Sequence, residues 1–359
     1  PTGGRLGSRR LPAGAAAVAP ATPFPRWRRA GAKDKSHVQV RRELANDVRR
    51  GGSSRITRRV GSYLQQYLLE FSERAFVFWL HVSKTAGTFF CSCGKSSGCK
   101  GPGDNCHDNM DRFTWTSVPR EKNKSLTQDT RTCAGMAEYN AQPKRKFLLE
   151  GNERYLMPAG LCSQSWNVLL VRDPVQRLIS HFSFCHNHHI HGTGGSWCLG
   201  HLRKARWTPE EGPVGLTFDF VKRQLQFLAD NYYIRCLLGL QVYALPWGEI
   251  DQRHADEAKR VVDLFDVVFD IDHMTAVTDL QTALNMTMGW TCRTPTKGDR
   301  QDRYEISNHD FMVELTTFWN TTGTLASLTE QNRFDNDLVA YTRTLADLDF
   351  LVYAHPAFA

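Results

Sequence analysis

A chain of 359 residues, 41% hydrophobic and 23% charged, has the composition of a globular protein and enough apolar residues to bury a sizeable core. Its formal net charge of +8 suggests nucleic acid only until the charge is located: residues 1–60 hold 15 Lys/Arg against three Asp/Glu, and the other 299 hold 30 against 34. The body is mildly acidic, so a nucleic-acid partner is not expected and the basicity belongs to an N-terminal tail.

That tail, residues 1–60, is rich in Arg, Ala, Gly and Pro and is expected to be disordered, with RRELANDVRR (41–50) as a short helix. The chain opens on Pro1, so a fragment or processed product is expected, with a membrane anchor upstream of residue 1 left open. Within the chain no apolar run reaches the roughly 18 residues that a spanning helix needs.

Residues 61–350 are expected to form one domain. GSYLQQYLLEFSERA (61–75) has helical spacing, and AFVFWLHV (75–82) is a continuous apolar run, as in a buried strand. Residues 91–145 are polar and Cys-rich and predict a long insertion with little regular structure. KFLLEG (146–151) and WNVLLVRD (166–173) predict two further strands. Helical spacing follows over 174–184, 218–238 and 251–265, then a strand over 266–271. Helices are predicted over 275–288, 309–319 and 329–349. This alternation implies an α/β fold: a P-loop-like nucleotide-binding core, with a parallel sheet flanked by helices and a helical C-terminal part.

Two motifs carry chemistry. Lys84-Thr85-Ala86-Gly87-Thr88 begins where the first predicted strand ends. Its small residues let the backbone approach an anion, its N–H groups precede a helix start, and Lys84 adds a mobile charge. The order differs from the Walker pattern, in which Lys closes the turn, so an ATP or GTP site is disfavoured. The second motif, VLLVRDPVQRLIS (168–180), puts Arg172 at a strand end, Asp173 at a natural N-cap and Pro174 at the first helical position. Arg172 and Ser180 are expected to converge on a second phosphate at that junction, with the helix N-terminus adding favourable potential.

At these residues the chain resembles the PAPS-dependent carbohydrate sulfotransferases of the Golgi, in particular the heparan sulfate 2-O- and 6-O-sulfotransferases. Lys84 to Thr88 matches that family's K-T-x-G-T loop, and Arg172 to Ser180 matches its R-D-P-x-x-R-x-x-S at every named position. LFDVVFDIDHMTAVTDLQTAL (264–284) and NRFDNDLVAYT (332–342) look like its later strand and helices. Two departures lie in the loop: Ser83 stands where the family has Pro, and Ala86-Gly87 where it has Gly-Gly. The resemblance implies that PAPS is the co-substrate, with its 5′-phosphosulfate at Lys84–Thr88 and its 3′-phosphate at Arg172 and Ser180. It also implies a glycan or polysaccharide acceptor, no required metal and residence in the Golgi lumen. Lys297, in TKGDR (296–300), sits where the wider superfamily often closes a loop on the nucleotide; a solvated turn is the plainer alternative.

Sulfuryl transfer to a hydroxyl also needs a general base. The family's His before the third strand is missing; FLLEGNERY (147–155) offers Glu150 and Glu153 instead. Glu150, expected at a strand end beside Gly151, is the first choice, with Glu153 and a His of the next loop as the alternatives. The segment HFSFCHNHHIHGTGGSWC (181–198) is expected to be a polar loop, held by a Cys185–Cys198 disulfide or contacting the acceptor. The chain has ten cysteines, and those at 91, 93, 99 and 106 suit disulfides in a secretory compartment, with zinc as the rival. Three N-x-S/T sites, at Asn123, Asn285 and Asn320, support that compartment weakly. The rival functions are a catalytically degenerate glycan-binding protein on the same fold and, at a greater distance, a P-loop kinase or NTPase.

Overall fold

The computed structural model describes residues 76–101, 106, 149–153, 155–156, 161–162, 164–190, 209–273, 280–292 and 302–353. The predicted basic tail, the 61–75 helix, most of the 91–145 insertion and Lys297 lie outside the described residues.

Four short strands form one parallel sheet: β1 (Phe76–Leu80), β2 (Leu149–Asn152), β3 (Ser165–Val171) and β4 (Val267–Asp270), in the order β2-β1-β3-β4. The register pairs Val77 with Leu149 and Trp166, and Val168 with Val267. β1 and β3 are buried at every position, so β1 and the Val168–Val171 half of β3 are continuous apolar runs rather than alternating, as strands covered on both faces must be; the polar Ser165 and Asn167 at the start of β3 are buried too, with Asn167 bonded to Asp266.

Alternation along the strands divides the core in two. Phe76, Phe78, Leu80, Leu169, Val171 and Val268 belong to one apolar cluster; Val77, Trp79, Trp166, Val168, Leu170, Val267 and Phe269 belong to the other. The helix after β1, α1 (Gly87–Ser96), covers the second face through Phe90, Cys91 and Cys93. The helix after β3, α2 (Pro174–Ile190), covers the first face through Leu178, Ile179 and Phe182. Successive connections thus leave β1 and β3 towards opposite faces, which makes the C-terminal ends of these two neighbouring strands a topological switch point. Such a switch point is where open α/β sheets bind ligands.

The chain continues through a 3-10 segment (Pro209–Gly215) and the short helices α3 (Phe218–Gln224), α4 (Gln226–Ala229), α5 (Tyr232–Leu237) and α6 (Leu240–Tyr243). Then come α7 (Gln252–Val262), α8 (Leu280–Met288), α9 (Asp302–Thr321), α10 (Thr324–Gln331) and α11 (Arg333–Tyr353). Asp251 caps α7 through the N–H groups of Arg253 and His254. The face carrying α2 receives most of these helices. The other is covered, among the described residues, by α1, α8 and Trp290, and two disulfides staple it: Cys91–Cys106 and Cys93–Cys292.

Several boundaries differ from the sequence reading. Helix α1 occupies the start of the region expected to lack regular structure. The His-rich segment is helical to Ile190 rather than a loop. Cys185 is disulfide-bonded, and its expected partner Cys198 lies outside the described residues. The predicted 218–238 helix is three helices, and the 329–349 helix is interrupted at Asn332. The breaks at Asn231 and Asn332 share one cause. Asn231, at a φ of 49°, donates its N–H to the Asn332 side chain at 3.0 Å and accepts the Asp335 N–H at 3.1 Å. The adjacent Asp230 forms a fully buried ion pair with Arg235, whose guanidinium also donates to the Leu245 and Pro246 carbonyls. A continuous helix would leave these buried polar groups unpaired, which costs more than the helical bonds return.

Candidate functional site

The turn after β1 is built from unusual backbone. Lys84 and Ala86 both adopt left-handed conformations, with φ of 70° and 59°. Ala86 stands where a glycine would be relaxed, and α1 starts there with no side-chain cap and no acidic residue in its first turn. Gly87 lies against the buried His81 ring: a Cβ there would sit 1.8 Å from His81 Nε2. His81 in turn stacks on Trp79, with centroids 4.8 Å apart. Only glycine therefore allows α1 to begin this close to the end of β1. The Thr85 hydroxyl, expected to face an anion, is buried and donates to the Val82 carbonyl at 2.7 Å; it holds the turn's shape instead. Thr88, in the first turn of α1, is exposed.

Lys84 is half-buried, with Nζ 3.9 Å from the centroid of the Phe184 ring on α2. Burial lowers its pKa to about 8; Glu153 opposes that shift and Arg172 adds to it. Lys84, Glu153 and Arg172, from the ends of three adjacent strands, therefore share one electrostatic neighbourhood.

Arg172 follows β3 directly. Its Nε donates to Asp272 Oδ1 at 3.2 Å, and no described residue engages its two Nη groups. Asp272 Oδ2 also accepts the Asp173 N–H, at 2.7 Å. As the sequence predicts, Asp173 caps α2, accepting the N–H groups of Val175 and Gln176 at 3.0 and 2.8 Å. Those amides are thereby occupied, so the electropositive groups left at this junction are the Arg172 Nη atoms. Ser180 is half-buried on α2, one helical turn before Phe184, and so shares the side of α2 that carries Lys84. Arg177 does not join the site. It is buried with its guanidinium 4.4 Å from the Tyr232 ring, donates to the Leu228 carbonyl, and leaves Nε and Nη1 without hydrogen-bond partners among the described residues.

The two candidate bases are placed differently. β2 runs to Asn152, so Glu150 lies within the strand, opposite Phe78, rather than at its end; its side chain is outside the described residues. Gly151 packs flat on Trp79, since a Cβ there would fall 1.7 Å from the indole nitrogen. Glu153 is the first residue beyond β2, half-buried, and acts electrostatically on both Lys84 and Tyr232. Nothing in the sequence marks Asp272, Phe184 or Tyr233 as contributors, because none belongs to a chemical motif. The disulfides leave Cys91, Cys93 and Cys106 unable to serve as zinc ligands, and no cluster of metal-binding side chains occurs among the described residues.

This is an α/β protein that gathers two cations, Lys84 and Arg172, and one carboxylate, Glu153, at the C-terminal edge of a parallel sheet. No family model, curated protein or solved structure matches the chain.

Proposed function

We propose that the protein is a PAPS-dependent sulfotransferase acting on a hydroxyl of a glycan, with a P-loop-like core. The observation that carries this reading is the meeting of both motifs at the ends of adjacent strands, with the Lys84 ammonium resting on Phe184 of the second motif's helix. A nucleotide with phosphate groups at both ends suits two separate cations, one on each strand end. In this reading the uncapped start of α1 and Lys84–Thr88 take the 5′-phosphosulfate, and the Arg172 Nη pair with Ser180 takes the 3′-phosphate.

The reaction is an in-line displacement. The acceptor oxygen bonds to sulfur, the bond from sulfur to the bridging phosphate oxygen breaks, and the acceptor proton passes to a carboxylate. Lys84 neutralises the charge that grows on the bridging oxygen. Of the two glutamates Glu153 is the better base, because it stands beyond the strand end and beside Lys84. The disulfides fit an oxidising compartment, and residence in the Golgi lumen is part of the same proposal.

The test is transfer of radiolabelled sulfate from PAPS to a panel of polysaccharides. Transfer by the wild type, abolished in Lys84→Ala and strongly reduced in Glu153→Gln with retained donor binding, is the expected result. Absence of transfer together with absence of binding to adenosine 3′,5′-bisphosphate overturns the proposal. Binding of acceptor without transfer would instead favour the glycan-binding alternative.

A further inference from the structure

The Arg172 backbone is held from two sides by groups outside either motif. Its N–H donates to the Tyr233 hydroxyl at 2.9 Å, and the same hydroxyl donates to the Arg172 carbonyl at 2.9 Å. One phenol thus satisfies both hydrogen-bonding groups of one residue. From the other side Asp272 takes Arg172 Nε and the Asp173 N–H. Burial raises the Tyr233 pKa well above the ordinary phenol value, so the hydroxyl keeps the proton that it donates.

Both supports are anchored in turn. The N–H groups of Tyr233 and Ile234 donate to the buried Asp335 carboxylate at 2.8 and 3.0 Å, which ties α5 to α11. Asp272 follows β4, whose last residue, Asp270, accepts Arg343 Nε at 2.7 Å, again from α11. A flexible side chain at a strand end is thereby reduced to a short guanidinium fork, with Nε occupied and the Nη pair presented outward.

We propose that Tyr233, with Asp272, is a positioning residue that makes Arg172 selective for a 3′-phosphate. This rests on the reading of Arg172 as the 3′-phosphate contact. Tyr233 touches neither nucleotide nor sulfate; it acts by fixing the peptide that carries the fork. Loosening that peptide penalises only ligands that use the fork, so the signature is lost discrimination rather than lost binding.

The experiment is calorimetric titration of the full chain with adenosine 3′,5′-bisphosphate and adenosine 5′-monophosphate. The wild type is expected to prefer the bisphosphate. Tyr233→Phe is expected to weaken bisphosphate binding about tenfold and to leave the monophosphate unchanged. Asp272→Asn, at a carboxylate outside the core, is expected to do the same, and it decides the matter alone if Tyr233→Phe does not fold. Equal weakening of both nucleotides, or an unchanged ratio in either folded variant, overturns the inference and leaves the proposed function standing. A wild type that binds neither nucleotide, or both equally, removes the assignment of Arg172 and this inference with it.

Discussion

The ammonium of Lys84 and the ring of Phe184 are 3.9 Å apart, so the helix that follows β3 supports the lysine that follows β1. The contact costs Lys84 hydration, and burial is the largest cause of its fall from 10.5 to a pKa of about 8. Between these values the unfolded chain binds a proton that the folded chain does not, so stability rises with pH over that window. Thermal melts from pH 7 to 10 should show this rise in the wild type and lose it in Lys84→Met, which should also be the more stable protein at pH 7. An unchanged pH profile in Lys84→Met would show that the lysine is not buried as described.

Gly87→Ala places a methyl group 1.8 Å from His81 Nε2. The ring cannot retreat easily, because it is stacked on Trp79, which itself stacks on Phe90 at 4.5 Å. The variant should lose about 1–3 kcal/mol of stability by urea denaturation, as overpacked cores do. Adding His81→Ala should return part of it. A double variant no more stable than Gly87→Ala alone would place the strain elsewhere.

Asp335 is held at a pKa of about 7, raised by burial against the opposing help of two backbone N–H donors and Arg177. Here the folded state binds the extra proton between 3.8 and about 7, so this carboxyl makes stability fall as pH rises through that window and then level off. Urea midpoints measured from pH 5 to 8 should decline less steeply in Asp335→Asn than in the wild type. Parallel declines would remove Asp335 as the source.

Cys93→Ser opens a bridge across 199 residues of sequence and frees α1 from the chain just after α8. A stability loss of about 2–5 kcal/mol is expected, measurable as a shift in urea midpoint under oxidising conditions. Peptide mapping of the unreduced protein should recover the 91–106 and 93–292 pairs. Recovery of a 93–99 pair instead would contradict this connectivity.

The sheet was legible because its strands are buried on both faces and carry apolar runs: FVFWL in β1, VLLV in β3 and VVF in β4. Asp173 at the N-cap was legible for a local reason, since capping depends on residues one to three positions away. What the sequence concealed was non-local. Asn231 and Asn332 break two helices by bonding to each other across about a hundred residues, while the flanking periodicity is that of continuous helix. Asp272 and Tyr233 reach Arg172 from separations of 100 and 61 residues. The place of Glu150 was misread because β2 extends one residue past Gly151, a difference that no composition pattern reports.

The two disulfides on α1 also impose an order of manufacture. Cys91 and Cys106 are 15 residues apart and emerge from the ribosome almost together, whereas Cys93 has to wait for a further 199 residues before its partner exists. Throughout that interval Cys99, a free thiol in the finished fold, is the nearer competitor. A premature 93–99 bond would have to be undone before this helix matures correctly, so yield in a host lacking a disulfide isomerase should be limited at this step.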